Sequence, residues 1–270
     1  MGEHNFTSID IGKVAGQAVI DSYIESHGHR LKVNLDEPDV IIRVDVIQNE
    51  IFIGLDTTGD DALHKRWYRI YSHPAPLNAS IAASMLKIAE WKKEETIFDP
   101  MTGSGTIPIE AALAGRNIAT GKNREFAFFK IFDMELPPQK ENKDIMEIYG
   151  MEKFRKHIEG AKENARAAGV DDTIHFFQGD ATKFSDMEAD VIITNPPYGL
   201  RIGSKRMIEK LYTGFLSKAK EILCDEGRIV AITASHREMM EAAKKNGFII
   251  EEKIAVKYGD LDAVIFKMHI

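Results

Sequence analysis

The chain has 270 residues, a net charge of −7 and one cysteine, which is length enough for one large α/β domain plus a small appendage. The lone Cys224 excludes a disulfide framework or a cysteine-based zinc cluster, and the nine histidines are scattered, so no metal site is expected. No apolar run approaches membrane-spanning length and the first residues are polar, which predicts a cytoplasmic protein without a membrane partner; the acidic balance argues against a broad nucleic-acid surface and leaves only local basic patches.

Over Ile9 to Ile24, residues Ile11, Val14, Ala15, Ala18 and Tyr23 recur at helical spacing. Val40, Ile42, Val44 and Val46 then alternate, Gln48-Asn49-Glu50 turns the chain, and Ile51 to Leu55 returns as the second strand of a hairpin. One helix and two strands are too small a unit to bury a core of their own. His64 to Arg69 mixes basic and aromatic residues: Arg66 and Arg69 could hold a phosphate while a ring stacks on a base, and a linker with Trp67 packed on its neighbour explains the same residues. Ser72 to Asn78, with Pro74 and Pro76, reads as a rigid connector ahead of an apolar-faced helix, Ile81 to Trp91.

From Thr96 the pattern alternates between strand and helix. Thr96 to Asp99 is a short strand, and Pro100-Met101-Thr102-Gly103-Ser104-Gly105-Thr106 leads into a helix, Ile107 to Leu113. Gly103 and Gly105 allow a sharp turn and a close ligand approach beside unpaired helix N–H groups. Pro108 stands where a dinucleotide fingerprint needs its third glycine, and no Gly-Lys-Ser/Thr follows for a phosphate loop. Asp99, at the strand tip, suits a ligand's ammonium group. Ile118 to Thr120 is strand-like, and Gly121 to Asn142 reads as an irregular insertion held to the domain edge by Phe126, Phe128, Phe129, Ile131 and Phe132.

Ile145 to Tyr149 is the next strand, closed by Gly150-Met151-Glu152, where Glu152 could accept from ribose hydroxyls. The helix His157 to Ala168 stops at Gly169, and the strand Ile174 to Gln178 ends at Gly179-Asp180-Ala181, where Asp180 could accept from an adenine amino group. The run Asp190 to Thr194 is a buried strand ended by Asn195-Pro196-Pro197-Tyr198-Gly199. An exocyclic amine conjugated with its ring is a poor nucleophile. Two acceptors, the Asn195 side-chain oxygen and the Pro196 carbonyl, would hold its N–H groups and favour a tetrahedral nitrogen; Pro197 stiffens the pair and Tyr198 can stack on the ring. Alone, the same four residues also read as a turn. Arg201, Lys205 and Arg206 follow as a basic cluster, then an amphipathic helix whose apolar face includes Ile208, Leu211, Tyr212 and Phe215 as core. A strand from Arg228 to Ala234, a helix from His236 to Asn246, and strands Phe248 to Tyr258 and Ala263 to His269 finish the chain, the last two necessarily antiparallel.

This ensemble resembles the class I S-adenosylmethionine-dependent methyltransferases, and within them the THUMP-containing RNA guanine methyltransferases of the archaeal tRNA type. The resemblance rests on Asp99 to Thr106, on Thr194 to Gly199, on the connector His73 to Asn78, and on Val33 to Val40, which is similar to the end of a THUMP domain. It implies a Rossmann-like sheet of seven strands, mostly parallel with a C-terminal antiparallel hairpin, over residues 71–270, and a small partial α+β THUMP-like segment over residues 1–70. It implies S-adenosylmethionine as cofactor, contacted by Leu77, Asn78, Asp99, Met101, Thr102, Gly103, Ser104, Gly105, Thr106, Glu152, Asp180, Ala181 and Asn195. The target base would meet Asn195, Pro196, Pro197 and Tyr198, and the RNA would meet Arg66, Arg69, Arg201, Lys205 and Arg206.

The expected reaction is metal-free, in-line methyl transfer to a guanine amino group in structured RNA, most readily tRNA. Ribosomal RNA guanine, DNA adenine and protein glutamine offer the same planar nitrogen, and a non-catalytic RNA-binding homologue is the reading from another class. Glu152 departs from the aspartate common in the family. Only the tail of the family's N-terminal region is expected here, so a separate chain or a lost N-terminus would supply the rest.

Overall fold

The computed structural model describes residues 4–121, 124–134, 138–198, 204–258 and 261–270. It divides into two compact units, one formed by residues 1–62 with 121–138, the other by residues 63–120 with 139–270.

In the first unit α1 (Ser8–His27) starts at a capping box, with Thr7 and Asp10 satisfying each other's N–H groups, and stops at Gly28 with φ 74°. The strands β1 (Ile42–Ile47) and β2 (Glu50–Leu55) form an antiparallel hairpin around Gln48 and Asn49. Ile20 is the one buried residue of α1, and Ile51, Phe52 and Ile53 are exposed, as expected of a unit with little core. Residues 121–138 depart from the expected insertion at the domain edge. They contain a short helix, α4 (Ala127–Ile131), and group with the N-terminal residues: Phe128 N–H donates to the Thr57 carbonyl, and Arg124 donates to the carbonyls of Asp61 and Ala62.

The second unit contains α2 (Ala79–Ile88), β3 (Ile97–Asp99), α3 (Thr106–Gly115), β4 (Ile148–Glu152), α5 (Arg155–Ala168), β5 (Ile174–Gln178), β6 (Ala189–Thr194), α6 (Lys205–Ile222), β7 (Leu223–Thr233), α7 (His236–Asn246), β8 (Ile249–Tyr258) and β9 (Leu261–His269). Its seven-stranded sheet has the order β5-β4-β3-β6-β7-β9-β8, parallel except where β9 pairs antiparallel with β7 and β8. Alternate strand residues serve opposite faces. Ile97, Val191, Ile193, Val230 and Ile232 pack in a core with residues of α2, α3 and α5, while Phe98, Ile192, Ile229 and Ala231 pack with residues of α6 and α7. The result is a helix-sheet-helix sandwich whose parallel strands all end at one edge.

Two sequence expectations are corrected here. Ile118 to Thr120 forms no strand, because Ile118 N–H turns back to the Leu113 carbonyl and its side chain packs on the core as part of the end of α3. The second-strand boundary moves from Ile145 to Ile148, leaving Ile145 exposed and making Glu152 the last residue of β4. Among the described residues no helix is long and apolar enough to cross a membrane.

Candidate active site

The order of the sheet decides which chain ends meet. Parallel neighbours β5, β4, β3 and β6 present Asp180, Glu152, Asp99 and Asn195 at successive tips along one edge. Nearly a hundred residues of sequence separate Asp99 from Asn195, yet they stand at the ends of hydrogen-bonded strands. Asp99 is buried; its Oδ1 accepts from Thr194 Oγ1 at 2.8 Å and from the Met101 N–H at 3.2 Å. Burial pushes its pKa up to about 7 against these stabilising hydrogen bonds.

Glu152 is the brace of the glycine loop. Its Oε2 accepts the Gly103 N–H at 3.2 Å and its Oε1 the Phe154 N–H at 3.1 Å, leaving lone pairs on both oxygens. Gly105 caps α3 at φ 81°, where a Cβ would lie 3.0 Å from Phe176 Cζ and 3.1 Å from Ala161 Cβ, so a side chain is strained by conformation and crowded by its neighbours. Thr102, Ser104, Thr106 and Ala181 are buried, and Met101 packs partly on the core. Asp180 accepts from the Thr182 N–H at 3.0 Å and its hydroxyl at 2.7 Å and pairs with Lys153 at 3.1 Å; those hydrogen bonds hold its pKa down at about 2. At the fourth tip Asn195 Oδ1 is buried and meets no hydrogen-bond donor among the described residues. A buried amide oxygen left in that state is costly unless something else supplies the donor.

The remaining predicted residues divide. Leu77 is a core side chain, and Asn78 spends its oxygen capping α2 through the N–H groups of Ser80 and Ile81. Arg66 is a correction, and Arg69 is partly engaged. Arg66 is withdrawn into a bidentate pair with buried Glu110 at 2.8 and 2.9 Å, which also accepts from the Tyr68 hydroxyl at 2.8 Å. Arg69 donates to the Leu77 carbonyl at 2.7 Å. The Arg66 guanidinium is thus buried against the domain, while Arg69 is half-buried and braces the connector from within. Lys205 and Arg206 occupy the exposed first turn of α6, Lys205 facing Glu238 at 3.5 Å, and Gly199 and Arg201 lie outside the described residues.

Sequence reasoning missed Asn164. It lies on α5, is fully buried, accepts the N–H groups of Ile70 and Tyr71, and donates to the carbonyls of Tyr71 and Ser104, tying connector to glycine loop. A polar residue in a polar helix carries no local mark of such a role. His73, within the connector, lays its ring against Gly103 and meets His157 edge-on at 4.3 Å.

A family model described as "RMKL-like, methyltransferase domain" matches residues 66–264, spanning all four strand tips. The chain belongs to the RMKL-like methyltransferase family. A THUMP domain model matches residues 2–56 of this family member. It is 57% identical over 261 residues to a tRNA (guanine(6)-N2)-methyltransferase of Archaeoglobus fulgidus, covering 97% of this chain and 66% of the relative. To the protein of the same name from Methanocaldococcus jannaschii it is 54% identical over 276 residues, covering 98% and 72%. The chain thus spans about two thirds of the length of these relatives. In fold it is similar to SMU.472, crystallised in complex with SAH, at a TM-score of 0.74 and 23% identity over 97% of this chain and 71% of that one.

Proposed function

We propose that this methyltransferase family member moves a methyl group from S-adenosylmethionine to the N2 amino group of a guanine in tRNA, at position 6 as in the names of its archaeal relatives. The observation that carries the reading is the row of Asp180, Glu152, Asp99 and Asn195 along contiguous strand tips, beside a loop that leaves little room for a side chain at Gly105. A nucleoside joined to an amino acid needs this sequence of partners. Asp180, an ionised acceptor, takes the adenine amino group, with buried Ala181 as packing surface; Glu152 takes the ribose hydroxyls with its remaining lone pairs; Asp99 takes the ammonium group. The loop Met101 to Thr106 lines the methionine end. The relative of similar fold holding SAH, the demethylated product of such a reaction, agrees with this choice of cofactor.

Bound there, S-adenosylmethionine supplies an electrophilic methyl group. The protein's part is to hold and orient. Asn195 Oδ1 accepts one N–H of the guanine amine and the Pro196 carbonyl the other, favouring a nucleophilic nitrogen, while Tyr198 stacks on the base. Lys205 and Arg206 lie at the N-terminus of α6, where the helix dipole adds to their positive field, and there they meet the RNA backbone. Residues 1–70 serve RNA capture and residues 71–270 catalysis. A separate chain completing the capture surface belongs to the same proposal, supported by the exposed apolar hairpin residues Ile51 to Ile53, and the setting is the cytoplasm.

Labelled methyl transfer to tRNA, ribosomal RNA, DNA and a release-factor protein, followed by nucleoside analysis of the product, tests the reading. N2-methylguanosine in tRNA is expected. Label in adenine or glutamine, or cofactor binding without transfer to any substrate, would overturn it. Asn195→Ala should abolish transfer and leave cofactor affinity within about twofold of wild type.

A further inference from the structure

Tyr212 sits on the apolar face of α6 with its ring fully buried among core residues, and helical periodicity accounts for that placement. Its hydroxyl has a separate task. The oxygen lies 3.1 Å from the Pro197 carbonyl and 2.7 Å from Thr233 Oγ1 at the end of β7, and Thr233 Oγ1 accepts the Ser235 N–H at 2.9 Å. A carbonyl only accepts, so Tyr212 donates to Pro197, which leaves the Thr233 hydroxyl to donate to Tyr212. The chain of donors therefore runs in one direction: Ser235 N–H to Thr233, Thr233 to Tyr212, Tyr212 to the Pro197 carbonyl. Each bond polarises the next. Burial raises the Tyr212 pKa far above the ordinary phenol value, so it remains a protonated donor at neutral pH.

The loop it reaches is unusually dependent on such a hold. Pro196 and Pro197 have no N–H, so at these two successive residues the backbone can be held by hydrogen bonds only through its carbonyls. The fixing group comes from a helix, and behind it stands the tip of the next strand in the sheet.

We propose that Tyr212 is a positioning residue for methyl transfer: by holding the Pro197 carbonyl it sets the place at which Asn195 Oδ1 and the Pro196 carbonyl meet the target amine. The inference rests on the reading of Asn195 to Tyr198 as the loop that accepts the substrate. Tyr212 touches neither substrate nor cofactor and acts through the loop alone. The same hydroxyl joins that loop to α6, whose first turn carries Lys205 and Arg206.

Tyr212→Phe removes one oxygen and leaves the ring in the core. Its kcat for transfer to tRNA should fall about tenfold or more while the KM and Kd for S-adenosylmethionine stay within about twofold. Thr233→Ser, which keeps the hydroxyl, should retain wild-type kcat, and Thr233→Val should lower kcat with little change in the cofactor constants. Hydrogen exchange at the Asn195 and Tyr198 amides should quicken in Tyr212→Phe, with exchange in the Gly103 to Thr106 loop unchanged. Wild-type kcat in Tyr212→Phe, or equal losses in Thr233→Ser and Thr233→Val, overturns the proposal. If the wild-type chain methylates no tRNA, the reading of the site fails instead, and the exchange measurement still decides whether Tyr212 holds the loop: unchanged exchange at Asn195 and Tyr198 refutes it.

Discussion

Asp99 is a carboxyl group stored where an ionised one is unwelcome. Its pKa rises from the ordinary 3.8 to about 7, chiefly through burial. An acid that holds its proton more tightly when folded makes the native state lose ground as pH climbs from 3.8 to about 7, because over that window the unfolded chain ionises and the folded one does not. The displacement of roughly three pKa units corresponds to about 4 kcal/mol, present in full above pH 7 and absent below the unfolded value. Asp99→Asn imitates the protonated acid and keeps an Oδ1 able to accept from Thr194 and Met101, the two hydrogen bonds the native carboxylate makes there. The cofactor-free variant should therefore be more stable than wild type by about 4 kcal/mol at pH 8, and by only about 1 kcal/mol at pH 4.5. Urea unfolding of both proteins at the two pH values measures the difference, with the effects of titrating groups remote from Asp99 cancelling between them. An offset that does not change with pH, or a variant less stable than wild type at pH 8, would refute the reasoning. On the proposed function the same variant binds S-adenosylmethionine poorly, and wild-type affinity falls up to tenfold per unit as pH drops below about 7.

Asn164→Ala removes four hydrogen bonds, one of them deeply buried, and should cost about 3 kcal/mol in urea unfolding while weakening cofactor binding through the Ser104 carbonyl. Arg66→Ala leaves Glu110 buried without its cation and should destabilise by about 3–5 kcal/mol; Arg66→Met with Glu110→Leu should recover only part of that loss, because the buried Tyr68 hydroxyl loses its acceptor, and its tRNA affinity should show the wild-type salt dependence, since both side chains are buried against each other. Gly105→Ala puts a side chain at φ 81° and against Phe176 and Ala161, for a loss of about 2–3 kcal/mol by thermal unfolding and a raised cofactor Kd.

Elements with strong local signals were readable from the chain. Ile174 to Gln178 and His236 to Asn246 have the same limits in sequence and structure, because a glycine stops each one. The acids at successive strand ends were readable along the chain, but the order of the strands in the sheet, which sets Asn195 beside Asp99 and two strands away from Glu152, was not. The partners of charged and polar groups could not be read either. Arg66 looks like a phosphate ligand until Glu110, 44 residues away, is seen beside it. Tyr212 looks like core because its ring is core, and nothing in a helical period says where a hydroxyl points. Ile118 has the β-branched shape of a strand residue, yet its N–H was already claimed by the turn that ends α3.

The grouping of residues 121–138 with the first sixty-two gives the chain three crossings between its units where a simple tandem protein has one. Modularity in such a molecule cannot be tested with a single cut. Deleting residues 1–62 would strand the loop bearing Phe126, Phe128 and Phe129, whose backbone and Arg124 find their partners at Thr57, Asp61 and Ala62. Anyone exchanging the first unit between relatives must transplant two pieces of chain together.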